Sequence, residues 1–285
     1  MKHFSDKVFE RVTEKKSVLC VGIDPHFDKI PDSIKKNVSP AAAIGKFCAE
    51  VLKAVKEYSS IIKINLAFFE LWGSEGFFVL ETISQMAKKM DFLVIIDAKK
   101  NDIGSTAERY ANAFLGANKP FDALTVNPFL GTDGILPFAE AAEKNGKGIF
   151  VLVKTSNQSA GEFQDLPVGD SLFFEKVGRS VARIGEKFLG NSNFSSTGAV
   201  VGATHPEDLK ILRTEMPAQI FLIPGFGVQG GELENLGSAF YEGGKGAIVN
   251  SSRGILFADL DKDFAVSAAL AAEKAKKDLQ KIAKF

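Results

Sequence analysis

Eight short runs of β-branched and other apolar residues recur along the chain, and each is followed by polar or glycine residues and then by a segment with helical spacing. The runs that predict strands are residues 18–23, 61–64, 93–96, 123–126, 148–153, 197–201, 220–223 and 247–249. Strict alternation of strands and helices is typical of a parallel sheet with right-handed crossovers. Eight such units in 285 residues predict a closed α/β barrel of the (β/α)₈ type. An open, doubly wound sheet is the alternative that periodicity alone leaves open.

The segments between the predicted strands have the spacing of helices with one buried face. Apolar residues recur every three or four positions in residues 41–58 and again in residues 105–118. Ser39 followed by Pro40 predicts an N-cap and a first helical residue for the earlier helix. Ser105 opens the later helix with the Ser-Thr-Ala-Glu pattern of a capping box.

The chain is expected to form one domain over residues 1–285, because no linker, repeat or change of composition divides it. Residues 156–196 are longer than a single crossover needs, and we expect a loop at 157–169 followed by a helix at 171–189. The Ala- and Lys-rich tail at 262–285 predicts a final helix.

The charge balance excludes several classes of protein. With 35 Lys and Arg residues against 35 Asp and Glu, the formal net charge is zero, which does not fit a general binder of nucleic acid or of a membrane surface. Two cysteines, a start without an apolar signal and apolar runs too short to cross a bilayer predict a cytoplasmic protein. His3, His26 and His205 share no metal-ligand spacing, so no metal site is expected.

Four charged residues lie at or just after the ends of two neighbouring predicted strands. Lys63 ends the second strand, Asp97 and Lys99 end the third, and Asp102 follows in the loop. Alternation along a strand predicts that Asp97 and Lys99 share a face. The carboxyl ends of barrel strands form the rim where barrel enzymes carry out catalysis. Two lysines and two aspartates are therefore expected to alternate around one pocket.

Such a set of charges can serve chemistry at a carbon atom. Each ammonium is held in its charged form by the neighbouring carboxylates. An ammonium fixed in a sheltered site stabilises a developing carbanion and can donate a proton to it. The alternative is a structural ion-pair network, which we would favour for Asp97 and Lys99 alone. The addition of Lys63 and Asp102 favours the catalytic interpretation.

Two loops near the end of the chain are typical of a phosphate site. Residues 224–231, after the seventh strand, contain a G-x-G-x-x-G pattern, and the eighth strand ends at Asn-Ser-Ser252-Arg253. The pattern does not follow the first strand and lacks the later acidic residue of a dinucleotide fold. In barrels, the loops after strands seven and eight commonly bind phosphate. Arg253, one of six arginines, would contact the phosphate, although an ordinary surface arginine is the alternative.

The residues from Asp97 to Ala107, Asp-Ala-Lys-Lys-Asn-Asp-Ile-Gly-Ser-Thr-Ala, with Lys63 before them, resemble the motif of the orotidine 5′-phosphate decarboxylase family. The variant is most similar to the longer bacterial branch, and the resemblance runs from about residue 18 to residue 257. It implies a (β/α)₈ homodimer that converts orotidine 5′-phosphate to UMP and CO₂ with no metal and no organic cofactor. Lys100 and Asn101 depart from the more usual Arg-Gly, which affects only the expected loop conformation.

The resemblance also implies roles for individual residues. Lys99 resembles the proton donor to C6 of the pyrimidine, and Lys63, Asp97 and Asp102 resemble the rest of the charged set. Asp102 is expected to reach the partner's site across the dimer interface. The residues implied to contact substrate are Asp24, Ile103, Thr106, Asn127, Thr155, Ser156, Gly227, Gln229, Ser252 and Arg253.

Within that set, Asp24 resembles the ligand of the ribose hydroxyls, and Thr155 with Ser156 resembles the segment that binds the pyrimidine amide edge. Gln229 and Arg253 resemble the phosphate clamp. An ordinary turn Asp before proline is the alternative for Asp24, and ordinary loop chemistry is the alternative for Thr155 and Ser156. Asn127 is expected at the rim without an assigned role.

Two other functions remain open at this point. Metal-dependent decarboxylases and aldolases of sugar phosphates share the barrel and an Asp-x-Lys-x-x-Asp motif. Lys63 in place of a carboxylate, together with Ile103 and Thr106, favours the nucleotide enzyme over them. A barrel that binds a phosphate ligand without turnover is the second alternative, and the full set of four charges argues against it.

Overall fold

The computed structural model describes residues 1–225, 233–259 and 263–285. Eight parallel strands close into a barrel in chain order, which confirms the predicted (β/α)₈ architecture and excludes the open sheet. The barrel strands are β1 (Leu19–Ile23), β2 (Ile61–Asn65), β3 (Leu93–Lys100), β4 (Ala123–Val126), β5 (Gly148–Lys154), β8 (Thr197–Val201), β9 (Phe221–Ile223) and β10 (Ala247–Ser251). A separate antiparallel pair is formed by β6 (Pro167–Val168) and β7 (Ser171–Leu172).

Helices lie outside the barrel and at its ends. They are α1 (Phe4–Lys15), α2 (Asp32–Lys35), α3 (Pro40–Val55), α4 (Ala67–Glu70), α5 (Gly73–Lys89), α6 (Gly104–Leu115), α7 (Thr132–Lys144), α8 (Gly161–Gln164), α9 (Phe173–Gly185), α10 (Pro206–Glu215), α11 (Arg253–Leu256) and α12 (Phe264–Gln280). Short 3₁₀ segments lie at Phe27–Lys29, Gln158–Ala160, Leu233–Ala239 and Glu242–Gly244. Helix α12 lies within the tail predicted to be helical. No described helix has both the length and the apolar content needed to cross a membrane.

The two predicted helix starts have different outcomes. The cap at Ser39 is confirmed, because its Oγ accepts a hydrogen bond from the Ala42 backbone N–H at 3.2 Å and Pro40 is the first helical residue. The cap at Ser105 is wrong, because α6 begins one residue earlier and Ile103 is its N-cap. Gly104 adopts a φ of +53°, a left-handed conformation that suits glycine. That turn brings the chain into the helix before Ser105.

Helix α1 closes the amino-terminal end of the barrel. The ring of Phe4 packs edge-on against Phe150 of β5, with 6.0 Å between the ring centroids. A Cβ on Gly148, the first residue of β5, would collide with that ring. The carboxyl ends of the strands therefore remain as the open end, and Lys63, Asp97 and Lys99 line the cavity there.

Candidate active site

A cavity of about 230 Å³ opens at the carboxyl end of the barrel. Asp97, near the end of β3, lies between two lysines at this site. Its Oδ2 accepts a hydrogen bond from Lys63 Nζ at 2.8 Å, and its Oδ1 accepts one from Lys99 Nζ at 2.6 Å. The side chain of Lys63 is 6% exposed and that of Lys99 is 50% exposed. Both lysines line the cavity, and Lys99 is the one whose side chain is also open to solvent.

The contact between Lys63 and Asp97 raises the pKa of the lysine and lowers the pKa of the carboxyl. Burial by itself would lower the pKa of Lys63, but the charges of Asp97 and Asp24 outweigh burial and raise that pKa above its ordinary value. Burial by itself would raise the pKa of Asp97, but the charges and hydrogen bonds of Lys63 and Lys99 outweigh it and hold that pKa well below its usual range. The carboxylate and the Lys63 ammonium are both charged at neutral pH.

The end of β3 is irregular where Asp97 and Lys99 lie. The pairing of β3 with β4 shifts its register between Ile96 and Lys100, as at a β-bulge. Lys99 has a φ of +49°, which is uncommon for a residue with a side chain. Asp97 and Lys99 therefore face the same cavity as predicted, but through a bulged strand end and not through simple alternation.

Three buried oxygen atoms lie near the ends of β1 and β10. Asp24 Oδ1, Asn250 Oδ1 and Ser252 Oγ are buried, and none has a hydrogen-bond partner in the described part of the chain. Gly22 permits this close approach, since a Cβ there would lie 2.6 Å from Ser252 Cβ. Buried polar atoms without a partner are costly in a native structure. A ligand that carries hydroxyl groups would satisfy them.

The residues after β5 are held by the loop that follows them. Thr155, Ser156 and Asn157 line the cavity. Gln164 accepts a hydrogen bond from the Thr155 backbone N–H at 2.8 Å and donates one to Thr155 Oγ1 at 2.7 Å. Buried Lys154 pairs with Asp165 of the same loop. These contacts fix the predicted amide-binding segment at the rim.

The structure does not bring Asp102 into the cavity of its own chain. Its carboxylate oxygen Oδ1 instead accepts a hydrogen bond from the Ile103 backbone N–H at 2.9 Å. Ile103 is 53% exposed, and Thr106 is exposed in the first turn of α6. Asn127 lines a second cavity of about 770 Å³ that shares Thr155 with the first.

The residues expected at the phosphate end are described only in part. Arg253 is exposed at the start of α11, and in the described ranges its side chain has no ion-pair or hydrogen-bond partner. Ser252 is the N-cap residue of this one-turn helix. Gly227 and Gln229 lie outside the described residues. Within the described part of the chain, no three His, Cys, Asp or Glu side chains come close enough to hold a metal ion.

Three residues of the site were not identified from the sequence. Thr125 is buried in β4 and donates a hydrogen bond to Asp97. Asn250 is buried in β10 beside Gly22. Gln164 donates a hydrogen bond to Thr155. A polar residue within a strand that is buried on both faces is a signal that could have indicated Thr125 and Asn250. Gln164 lies in an irregular loop and has no comparable signal in the sequence.

Comparisons with known proteins agree with the fold and identify the family. A family model described as "Orotidine 5'-phosphate decarboxylase / HUMPS family" matches residues 17–269. The chain is 41% identical to an orotidine 5′-phosphate decarboxylase of Rhodopirellula baltica over 280 residues, which covers 94% of this chain and 93% of that protein. It is 42% identical to one from Deinococcus radiodurans over 270 residues, with 94% of each chain covered. The OMP decarboxylase structure of Leishmania donovani matches with a TM-score of 0.78 at 31% identity, over 99% of this chain and 98% of that one. The chain belongs to the orotidine 5′-phosphate decarboxylase family.

Proposed function

We propose that this protein decarboxylates orotidine 5′-phosphate to UMP and CO₂, with Lys99 as the proton donor. One observation carries the assignment: the Lys99 ammonium faces the cavity and is held by Asp97 at 2.6 Å. That carboxylate also binds the buried ammonium of Lys63, so the charges are in place before substrate binds. Such preorganised charge stabilises the transition state without reorganisation during the reaction.

The chemical step needs one proton and no oxidant or reductant. The bond between C6 and the carboxylate carbon breaks, CO₂ leaves, and the electron pair stays on C6. The Lys99 ammonium lies near that pair, stabilises it, and transfers a proton from Nζ to C6. The neutral amine of Lys99 is then protonated again from water. Asp97 lies near the substrate carboxylate, and their like charges repel each other in the bound substrate.

The remaining residues bind the parts of the substrate that do not react. Asp24 binds the ribose hydroxyls, which is supported by its buried Oδ1, an atom without a hydrogen-bond partner among the described residues. Thr155 and Ser156 bind the amide edge of the pyrimidine. Arg253 and Gln229 bind the phosphate, together with the backbone near Gly227 and the hydroxyl of Ser252. Binding energy from the phosphate can then lower the barrier at C6.

A homodimer completes this site, with Asp102 supplied by the partner. Asp102 lies outside the cavity of its own chain, on a face with two exposed apolar side chains, Ile103 at 53% and Phe129 at 81% exposed. The loop that carries Asp102 packs on α7, since a Cβ on Gly134 would lie 3.5 Å from the Asp102 carbonyl oxygen. An apolar face beside a functional site is typical of a protein interface. The membership of the longer bacterial branch and the cytoplasmic location remain predictions.

The activity is tested by the loss of ultraviolet absorbance as orotidine 5′-phosphate is consumed. We expect turnover by the wild-type protein with and without EDTA, and no turnover by Lys99→Ala, which should still bind UMP. Lys210→Ala is the matched control, because Lys210 is an exposed lysine whose one ion pair among the described residues is with Glu207. Activity lost to EDTA and restored by Mg²⁺ would favour the metal-dependent alternative. UMP binding without any turnover by the wild type would favour a binding protein, and normal turnover by Lys99→Ala would refute the proton-donor assignment.

The shared site is tested by mixing two inactive variants, Lys99→Ala and Asp102→Asn. If Asp102 acts across the interface, each mixed dimer has one site with both residues intact. After free exchange of subunits, the mixture should regain about a quarter of wild-type activity. If Asp102 acts within its own chain, every site lacks one residue and the mixture stays inactive.

A further inference from the structure

The hydroxyl of Thr125 makes three hydrogen bonds at the base of the charged site. Thr125 lies in β4 and is 1% exposed. Its Oγ1 donates to Asp97 Oδ1 at 3.0 Å. The same oxygen accepts from the backbone N–H of Ala98 at 3.0 Å and from that of Lys99 at 2.9 Å. A hydroxyl has one donor and two acceptor positions, so these contacts use its full capacity.

These bonds replace contacts that the bulge removes from the sheet. The register of β3 against β4 shifts between Ile96 and Lys100, so the N–H groups of Ala98 and Lys99 need another acceptor. Buried backbone donors are nearly always paired, and Thr125 Oγ1 supplies the acceptor here. Lys99 itself has a φ of +49°, a conformation that persists only where the surroundings hold it.

The Thr125 hydroxyl therefore holds both Asp97 and the backbone of Lys99 in place. Through Asp97 it fixes the carboxylate that orients the Lys99 ammonium at 2.6 Å, and through the backbone it fixes the strand end from which the Lys99 side chain starts. Valine has nearly the same shape as threonine but no hydroxyl. It would leave two backbone donors unpaired and would free Asp97 Oδ1 on one side.

We propose that Thr125 is a positioning residue for the decarboxylation. It sets the place of the Lys99 ammonium relative to C6 without touching the substrate. The proposal rests on the roles assigned above to Lys99 and Asp97. A displacement of about 1 Å at a reacting group can lower a rate on the order of 100-fold, so a shift of the Lys99 ammonium should lower kcat.

The test compares Thr125→Val with Thr125→Ser, which keeps the hydroxyl. Thr197→Val is the matched control, because Thr197 is also a buried barrel threonine and its Oγ1 has no partner in the described part of the chain. The kcat is divided by the number of UMP-binding sites measured by calorimetry, so that unfolded protein does not count. The KM for orotidine 5′-phosphate and the UMP affinity are measured on the same samples.

We expect Thr125→Val to lower kcat per binding site about 10- to 100-fold, with KM and UMP affinity within about 3-fold of wild type. Thr125→Ser should recover most of kcat, and Thr197→Val should match wild type. A kcat per site within about 3-fold of wild type in Thr125→Val would overturn the proposal, as would a Ser variant as slow as the Val variant.

Two further results keep the test decisive. If Thr125→Val yields no UMP-binding protein, Thr125→Cys is judged by the same criterion, because a thiol is close in size and only weakly hydrogen-bonding. If Lys99→Ala retains wild-type turnover, the assignment of Lys99 has failed, and that failure is separate from the result at position 125. An unchanged Thr125→Val rate beside an inactive Lys99→Ala variant overturns the positioning role alone.

Discussion

Replacement of Asp97 by asparagine should destabilise the protein through Lys63. Lys63 is buried and Asp97 accepts its hydrogen bond at 2.8 Å, so the variant leaves an ammonium inside the barrel without that carboxylate. Loss of one partner of a buried ion pair costs about 3–5 kcal/mol. The half-exposed Lys99 adds little, because solvent screens its charge. For a domain of this size, we expect the melting temperature to fall by roughly 10 °C.

The size of the effect should depend on pH in a defined direction. In the wild type, the raised pKa of Lys63 contributes stability below its ordinary value of 10.5, and that contribution is lost only as pH rises through the folded pKa. In Asp97→Asn, burial is the largest remaining influence on Lys63 and is opposed mainly by the charge of Asp24, so we expect the pKa of Lys63 to fall below its ordinary value. The unfolded variant then binds more protons than the folded one in the alkaline range, so the stability of the variant rises with pH. The difference in stability from wild type should shrink as pH rises from 7 towards 10.5.

Urea titrations at fixed protein concentration measure both effects, since concentration would shift the stability of a dimer. The double variant Lys63→Met with Asp97→Asn should recover most of the lost stability, because it removes the buried charge. Glu207→Gln is the control, since that carboxylate pairs with Lys210 on the exposed surface. A loss below about 1 kcal/mol at pH 7 in Asp97→Asn, or no recovery in the double variant, would refute this reasoning.

Three further changes test other parts of the molecule. Burial lowers the pKa of Lys147 to about 8, so the free energy of unfolding should rise as pH increases from about 8 to 10.5. Urea titrations of Lys147→Met should show no such rise. Phe4→Ala should lower the free energy of unfolding, measured by urea titration, by about 3–5 kcal/mol, because the ring packs on Phe150, and UMP affinity should stay unchanged. An unchanged urea midpoint would contradict the role of α1 in closing the barrel. Gly22→Ala would bring a Cβ within 2.6 Å of Ser252 Cβ, so the free energy of unfolding should fall by about 1–3 kcal/mol and calorimetry should show weaker UMP binding. Wild-type stability together with wild-type UMP affinity would contradict the close packing.

The strand ends show how far local sequence could predict the site. The runs of apolar residues predicted every barrel strand, because burial on both faces leaves a continuous apolar signal. That signal stops at Ile96, whereas β3 continues to Lys100. Asp97 and Lys99 in this last part of β3 line a cavity, and their polarity hides the end of the strand from the apolar pattern. The prediction thus found the charged residues but not the strand geometry that carries them.

Other features depend on contacts between distant parts of the chain. The cap at Ser105 was mispredicted because the left-handed turn at Gly104 starts the helix earlier. The support of Thr155 by Gln164 depends on how an irregular loop folds back on β5. Neither the turn nor the loop leaves a periodic pattern in the sequence.

The sequence by itself determined the eight strands, their alternation with helices and the identity of the charged residues, because strand periodicity and strand ends are local properties. The tertiary structure decided that the sheet closes into a barrel. Only the tertiary structure decided which of those charges meet. Lys63, Asp97 and Lys99 come together within one chain, whereas Asp102 does not join them. The register between neighbouring strands, and the bulge that Thr125 holds, arise from packing across the whole barrel, and no short stretch of sequence contains that information.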